Sequence, residues 1–96
     1  GTELMEIKFE EKRIYAVNKE GTQMGEITYT LKGDDVLVAE HTKVEEEFRG
    51  EGIGEKLVEA LANKCRLDDK KIKAECPFVK KVMKENKEYH DVFLNI

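Results

Sequence analysis

The chain has 96 residues, of which 40% are hydrophobic and 40% are charged, and its net charge is −4. This length suffices for one small domain with a single core, and the negative charge argues against nonspecific nucleic-acid binding. No apolar run approaches the roughly 18–20 residues of a membrane span, and no signal peptide is visible, so no membrane partner is expected. Residues 1–4 precede Met5 and are predicted to be a cloning remnant, with residues 5–96 forming one domain.

The first half of the chain has the composition and the alternation of β-strands. Its apolar residues are mostly β-branched or aromatic and alternate with polar ones, most clearly where Ile27 and Tyr29 share one face. The fourth predicted strand begins apolar on both faces, which predicts an interior strand covered on both sides. Because short turns separate the strands, an antiparallel meander is expected. The predicted strands are residues 7–9, 13–18, 25–31 and 36–44.

The second half changes to the period of a helix. From Gly52, apolar residues recur at the spacing of an amphipathic helix of about four turns, which residues 67–71 end. Residues 72–76 are predicted to be a strand, so a parallel, right-handed crossover is expected. Pro77 suits the first position of a second helix, and residues 88–94 are predicted to hold a last helical turn and a short strand. The fold class is therefore α+β, with a meander followed by β-α-β-α and a mixed sheet.

The cysteines and histidines show no metal-binding spacing. Cys65 and Cys76 do not form a C-x-x-C pair, and His41 and His90 lie far from them in sequence, so no metal site is predicted. Two unpaired thiols are typical of an intracellular protein, and a cytoplasmic location is expected. Cys65 lies on the apolar stripe of the first helix and is predicted to pack in the core.

A glycine-rich loop joins the fourth strand to the first helix. A helix start offers unbonded N–H groups and a positive dipole end, and glycines let the backbone approach a ligand closely. An arginine adds a guanidinium that suits phosphate oxygens, so the loop is predicted to cradle a phosphate, with a purely structural loop as the alternative. The P-loop and dinucleotide-binding patterns both fail in spacing. The loop is Arg49-Gly50-Glu51-Gly52-Ile53-Gly54.

This loop matches R/Q-x-x-G-x-G/A, the pyrophosphate-binding motif of the GNAT (GCN5-related N-acetyltransferase) superfamily. Together with His41-Thr42 and the Cys-Pro-Phe segment at 76–78, it makes the chain resemble small one-domain GNAT-like proteins over roughly residues 13–94. The resemblance implies a reduced GNAT fold in which the fourth and fifth strands splay apart and bind coenzyme A or acetyl-CoA. Full-length GNAT enzymes carry further N-terminal helices around the acceptor. Here the acceptor site is expected to be open or completed by a partner.

The resemblance also implies which residues contact the cofactor. The pyrophosphate would accept hydrogen bonds from the N–H groups of residues 50–55, and the pantetheine arm would lie along the fourth strand. Basic side chains would meet the 3′-phosphate, which agrees with a net charge of −7 for residues 1–63 and +3 for residues 64–96. The candidate cofactor-binding residues are Thr42, Lys43, Val44, Arg49, Gly50, Glu51, Gly52, Ile53, Gly54, Glu55, Lys56, Cys76, Pro77, Lys80 and Lys81, with Lys84 as a further candidate for the 3′-phosphate.

Cys76 and His41 are the candidate catalytic residues. Cys76 stands just before a helix start, which can lower the pKa of a thiol below its free value of about 8.5. In the GNAT-like interpretation it lies near the thioester, as a nucleophile or as the acid for the leaving thiolate, the alternative being an inert buried cysteine. His41 is expected to point toward the same region and to take a proton from the amine, the alternative being a strand histidine bonded to the loop. Glu40 and Thr42 are expected on the opposite face from His41.

These features predict an acetyl-CoA-dependent N-acetyltransferase that acts on a primary amine of a small-molecule or peptide acceptor. A function of another class is a non-catalytic sensor or partner subunit that binds coenzyme A or acetyl-CoA. The expected lack of acceptor helices favours this alternative. A third possibility is an interaction domain without a cofactor, and the oligomeric state is left open.

Overall fold

A computed structural model describes residues 5–95, and the predicted cloning remnant at residues 1–4 lies outside the described residues. Within this range, six strands form one sheet whose spatial order is the order of the chain. The elements are β1 (Glu6–Phe9), β2 (Arg13–Val17), β3 (Gln23–Lys32), β4 (Val36–Val44), α1 (Ile53–Asp68), β5 (Lys71–Ala74), α2 (Pro77–Glu85) and β6 (Phe93–Leu94), with 3₁₀ turns at Glu46–Phe48 and Lys87–Tyr89.

The sheet has an antiparallel half and a parallel half, which confirms the predicted α+β class. Strands β1 to β4 pair antiparallel through short turns, whereas β4, β5 and β6 are parallel. Parallel neighbours need crossover connections, which α1 and α2 provide. Both crossovers step in the same direction along the sheet, so right-handed connections place both helices on the same face.

The sheet face beneath the helices forms the core. Alternate strand positions point to this face, and Ile14, Ile27, Leu37 and Ile72 are at most 1% exposed there. Burial raises the pKa of the Cys65 thiol in this core to about 11, as expected for an inert packing residue. The helices contribute Leu57, Val58, Leu61, Ala62, Cys65, Val79 and Met83.

The other face of the sheet carries no helix within residues 5–95. Strand β4 is interior, as predicted, but the helices cover only one of its faces, contrary to the sequence-based expectation. Val38 is nevertheless only 8% exposed on the uncovered face. Its cross-strand neighbours Thr30 and Lys73 lie on either side of it, so their side-chain stems shield it from water.

Strands β4 and β5 part halfway along β4. They pair from Val36 opposite Lys71 to Ala39 opposite Ala74, and β4 then continues without a β5 partner. The N–H groups of the two residues that follow β5, Glu75 and Cys76, both donate to the carbonyl of Ala39, at 2.9 and 3.2 Å. The splay between these strands that the family resemblance implied is therefore present.

Candidate functional site

The glycine loop presents a run of unbonded amides beside the gap between β4 and β5. Gly50 and Gly52 have φ angles of +84° and +79°, in the left-handed region that favours glycine. Within the described chain, the N–H groups of residues 50–55 donate no backbone hydrogen bond, and the first bond of α1 runs from Lys56 to the carbonyl of Gly52 at 3.1 Å. No side chain caps this helix start. Free donors at the positive end of a helix dipole make a site suited to an anion.

A cavity of about 340 Å³ adjoins these amides. Arg49 is fixed at its rim, because its Nε donates to the carbonyl of Val44 at 3.1 Å while its terminal N–H groups stay available. Glu55 is the one carboxylate of the lining, and its side chain is exposed to water. The lining residues are Val44, Arg49, Gly50, Gly52, Ile53, Gly54, Glu55 and Phe78.

The third glycine of the motif has a packing role. A Cβ added to Gly54 would lie 2.8 Å from Cζ of Phe78, so the absent side chain lets the ring of α2 pack on the start of α1. Nothing lies within 4 Å of a Cβ added to Gly50 or Gly52. Phe78 lines the cavity, although it is not among the cofactor-binding residues predicted from the sequence. The sequence signal for this residue is the Cys-Pro-Phe segment, which places an aromatic ring in the first turn of α2.

Cys76 is the N-cap residue of α2, on the far side of the gap. It is 7% exposed, and its Sγ–H donates to Oγ1 of Thr42 at 3.5 Å. Burial raises the pKa of this thiol, but the Val79 N–H, the Thr42 hydroxyl and the Phe78 N–H favour the thiolate and together outweigh burial. The pKa of Cys76 therefore lies below that of an ordinary cysteine, the direction expected from the sequence.

A β-bulge decides which side chains of β4 face Cys76. Thr28 pairs with His41 and Tyr29 with Ala39, so Glu40 is an extra residue in β4. Because the bulge reverses the alternation beyond Ala39, Thr42 faces the helices and His41 faces the uncovered side.

Residues Glu40 and His41 share the uncovered face, contrary to the prediction for Glu40. The carboxylate of Glu40 accepts a hydrogen bond from the Thr30 hydroxyl at 3.4 Å, on that face. His41 is exposed, and its ring makes no hydrogen bond to any residue that the structure describes. His41 and Cys76 both lie beyond Ala39, where the strands part, but on opposite sides of the sheet. The expectation that His41 points toward the region of Cys76 is therefore wrong, and it is Thr42 that contacts the thiol.

The lysine candidates occupy three different places. Lys80, Lys81 and Lys84 are exposed on α2, and none forms an ion pair within residues 5–95. Lys43 is exposed on the uncovered face, 3.7 Å from a carboxylate oxygen of Glu45. The side chain of Lys56 instead lines a separate groove between α1 and β1, away from the glycine-loop cavity.

None of the helices in residues 5–95 is long and apolar enough to cross a membrane. These residues also contain no group of three or more His, Cys, Asp or Glu side chains arranged to hold a metal ion.

Comparisons with known proteins agree with this geometry. The sequence model of the GCN5-related N-acetyl-transferase family matches residues 13–92. A solved structure of a GCN5-like protein from Staphylococcus aureus, a provisionally assigned N-acetyltransferase, is 34% identical to this chain. The match covers 95% of this chain and 89% of that protein, with a TM-score of 0.78. Ard1 from Thermoplasma volcanium shares the fold at 23% identity, with a TM-score of 0.57, over 62% of this chain and 40% of its own. A search of curated proteins gave no match.

The antiparallel meander, the parting of β4 from β5 and the glycine loop at the helix start define an acyl-transferase type of fold. With the family match over residues 13–92, they show that the chain belongs to the GCN5-related N-acetyltransferase family. The predicted family and the predicted reduced GNAT fold are thereby confirmed.

Proposed function

We propose that this protein is an acetyl-CoA-dependent N-acetyltransferase that acetylates a primary amine. The observation that carries the proposal is the run of unbonded N–H groups at residues 50–55, next to the gap where β4 leaves β5. These donors, the cavity beside them and the guanidinium of Arg49 fit a pyrophosphate group. Bound acetyl-CoA would supply an acetyl group that its thioester linkage activates.

The remaining contacts would come from β4 and α2. Beyond Ala39, the β5-facing backbone of β4 has no strand partner, so residues 42–44 can bond an extended, amide-containing arm as a neighbouring strand would. On α2, the exposed ammonium groups of Lys80 and Lys81 are candidates for the 3′-phosphate, together with Arg49. Pro77 and Cys76 then lie at the inner end of the gap, where α2 begins.

Two residues on opposite faces of the sheet can accept and donate the protons that the acetyl transfer requires. His41 on the uncovered face would take the proton that an attacking amine must lose. Cys76 on the helix-covered side would give its thiol proton to the departing thiolate. The competing route uses Cys76 as a thiolate nucleophile, and its lowered pKa also favours this route.

One observation favours a second function, that of a coenzyme A-binding sensor or partner subunit with no turnover. Within residues 5–95, no helix encloses the uncovered face on which the acceptor would bind. An open face gives an acceptor few contacts, and positioning supplies much of the rate of a transfer reaction. A partner that covers this face could complete the site.

Turnover measurements separate the two functions. Coenzyme A should raise the melting temperature of the protein in both cases. Release of the free thiol of coenzyme A from acetyl-CoA, in the presence of a panel of primary amines, should occur only for an enzyme. Cys76→Ala and His41→Ala should each slow that release while keeping the thermal shift. Stabilisation by coenzyme A without release above the uncatalysed rate would exclude the transferase and leave the sensor.

Intact-mass spectrometry distinguishes the two catalytic routes. After mixing with acetyl-CoA and no amine, the nucleophilic route adds one acetyl group that Cys76→Ala abolishes, with Cys65→Ala as the matched control. Absence of this adduct in an active enzyme would favour direct transfer to the amine.

A further inference from the structure

Strand β1 is an edge strand whose outer side is unpaired within residues 5–95. The N–H of Glu10 donates to the carbonyl of Arg13 at 2.8 Å, which sets the phase of the ladder between β1 and β2. Because successive residues of a strand direct their backbone groups to alternate sides, Lys8 bonds to β2, and Ile7 and Phe9 direct N–H and C=O outward. The outer edge of β1 therefore offers a row of free donors and acceptors.

The helix-facing side of β1 adjoins an apolar groove. Phe9 is 56% exposed and Leu67 of α1 is 87% exposed, and these are two of the three large hydrophobic residues that are exposed in the described chain. A groove of about 520 Å³ runs between β1 and α1, and Met5, Ile7, Phe9, Ala60 and Leu67 supply its apolar lining. An open apolar groove beside a free strand edge is typical of an interaction surface.

On the opposite side of β1, the charged side chains are complementary to those of a second β1 strand related to it by a two-fold rotation. Glu6 and Lys8 lie on this side and contact each other at 2.7 Å. We propose that β1 pairs antiparallel with β1 of a second copy of this chain, about a two-fold axis at Ile7. Each Glu6 then lies opposite Lys8 of the second copy, and each Phe9 lies opposite Met5 on the groove side.

The register centred on Ile7 is compatible with the backbone and is favoured by the charges. It uses the outward N–H and C=O groups of Ile7 and Phe9 in both copies. A pairing centred on Lys8 would also use outward groups, with Ile7 opposite Phe9. It would, however, set two ammonium groups opposite each other and Glu6 opposite Glu10, so like charges disfavour it. The pairing joins the two sheets into one. Because β2 and β3 separate β1 from β4, the glycine-loop cavity and the gap between β4 and β5 stay accessible.

Charge reversal at β1 tests this register directly. Sedimentation velocity over a series of protein concentrations should show a dimer that dissociates on dilution. Glu6→Lys and Lys8→Glu should each raise the dimer dissociation constant roughly ten-fold, because each places like charges opposite each other. An equimolar mixture of the two variants should regain the dimer, since every facing pair is then of opposite sign.

A second set of variants tests the backbone pairing and the apolar contact. Phe9→Pro removes an outward N–H but no bond to β2, and it should raise the dissociation constant at least as much as charge reversal. Leu31→Asn is the control, because Leu31 is 60% exposed at the end of β3 and lies outside the groove. Circular dichroism melting checks that each variant folds. A wild-type chain that stays monomeric, or a dimer that is insensitive to the β1 variants, would overturn the proposal.

Discussion

The two helices of this protein begin at the same gap in the sheet, but their N-termini are built differently. At neither start does the side chain of the N-cap residue form a capping hydrogen bond. At α1, Gly52 in the left-handed region leaves the first amides without partners. At α2, the N-cap residue Cys76 is extended, and the N–H groups of Val79 and Phe78 lower the pKa of its thiol. Amides of the same kind are thus free for an external anion at one helix and favour a thiolate of the chain itself at the other.

Removing the left-handed glycine at the start of α1 should give the largest effect. Gly52→Val forces a side chain into a strained conformation and turns the free amides away, so the rise in melting temperature with coenzyme A should disappear. Gly33→Val is the matched control, because Gly33 has a φ of +69° in the turn between β3 and β4. Both variants should lose about 1–3 kcal/mol of unfolding free energy, but the control should keep the full thermal shift. Retention of that thermal shift by Gly52→Val would refute the proposal that the free amides of the glycine loop bind the pyrophosphate.

The contact between the two helix starts should give the next largest effect. Gly54→Ala brings a Cβ within 2.8 Å of the Phe78 ring, and overpacking of this kind costs about 1–3 kcal/mol in urea denaturation. In a Phe78→Leu background the same substitution should cost much less, because the ring is gone. A double-mutant cycle measures this coupling. Equal costs in the two backgrounds would show that the ring does not require the glycine.

The two cysteines should differ in the pH dependence of their alkylation. The lowered pKa of Cys76 means that its thiolate forms at a lower pH than that of a free cysteine, so its reaction with iodoacetamide should reach half its maximum below the ordinary value. Cys65, with a pKa of about 11 and 1% exposure, should stay unreactive in the folded chain. Peptide mass spectrometry over a pH series reads both sites at once. A midpoint for Cys76 above that of a free thiol would contradict the structure.

Removing one hydroxyl at the start of α2 should give the smallest effect. Thr42→Val deletes one of the groups that stabilise the thiolate, so the midpoint for alkylation of Cys76 should rise. The rise should be modest, because the Val79 N–H lowers the pKa of the thiol more than the Thr42 hydroxyl does. Thr42→Ser keeps the hydroxyl and should leave the midpoint near the wild-type value. An equal rise in both variants would point to packing instead.

The order of the elements could be predicted because each has a local signal. The alternation in β3, the apolar stripe of α1 and the proline at the start of α2 are all confirmed. The roles of the glycines could be predicted only in part. Positive φ at Gly50 and Gly52 follows from the residue type, whereas the need for Gly54 comes from Phe78, and that contact between helices leaves no local pattern.

The faces of β4 could not be predicted from alternation alone. Strict alternation from Leu37 and Ala39 would turn His41 toward the helices and Thr42 away from them. The bulge at Glu40 inverts this order, and nothing in the sequence around it marks an extra residue. The catalytic roles of His41 and Cys76 remain predictions, and their separation onto two faces is what the sequence could not show.

The bulge at Glu40 inverts the facing of every side chain that follows it in β4. One additional residue moves each later side chain to the other face of the sheet, while the backbone continues along the same path. In this family member, it gives the thiol a hydroxyl neighbour and presents an imidazole to the open surface. An insertion or deletion of a single residue at this point would therefore change which side chains face the thiol and which face the open surface, without altering the fold around the gap.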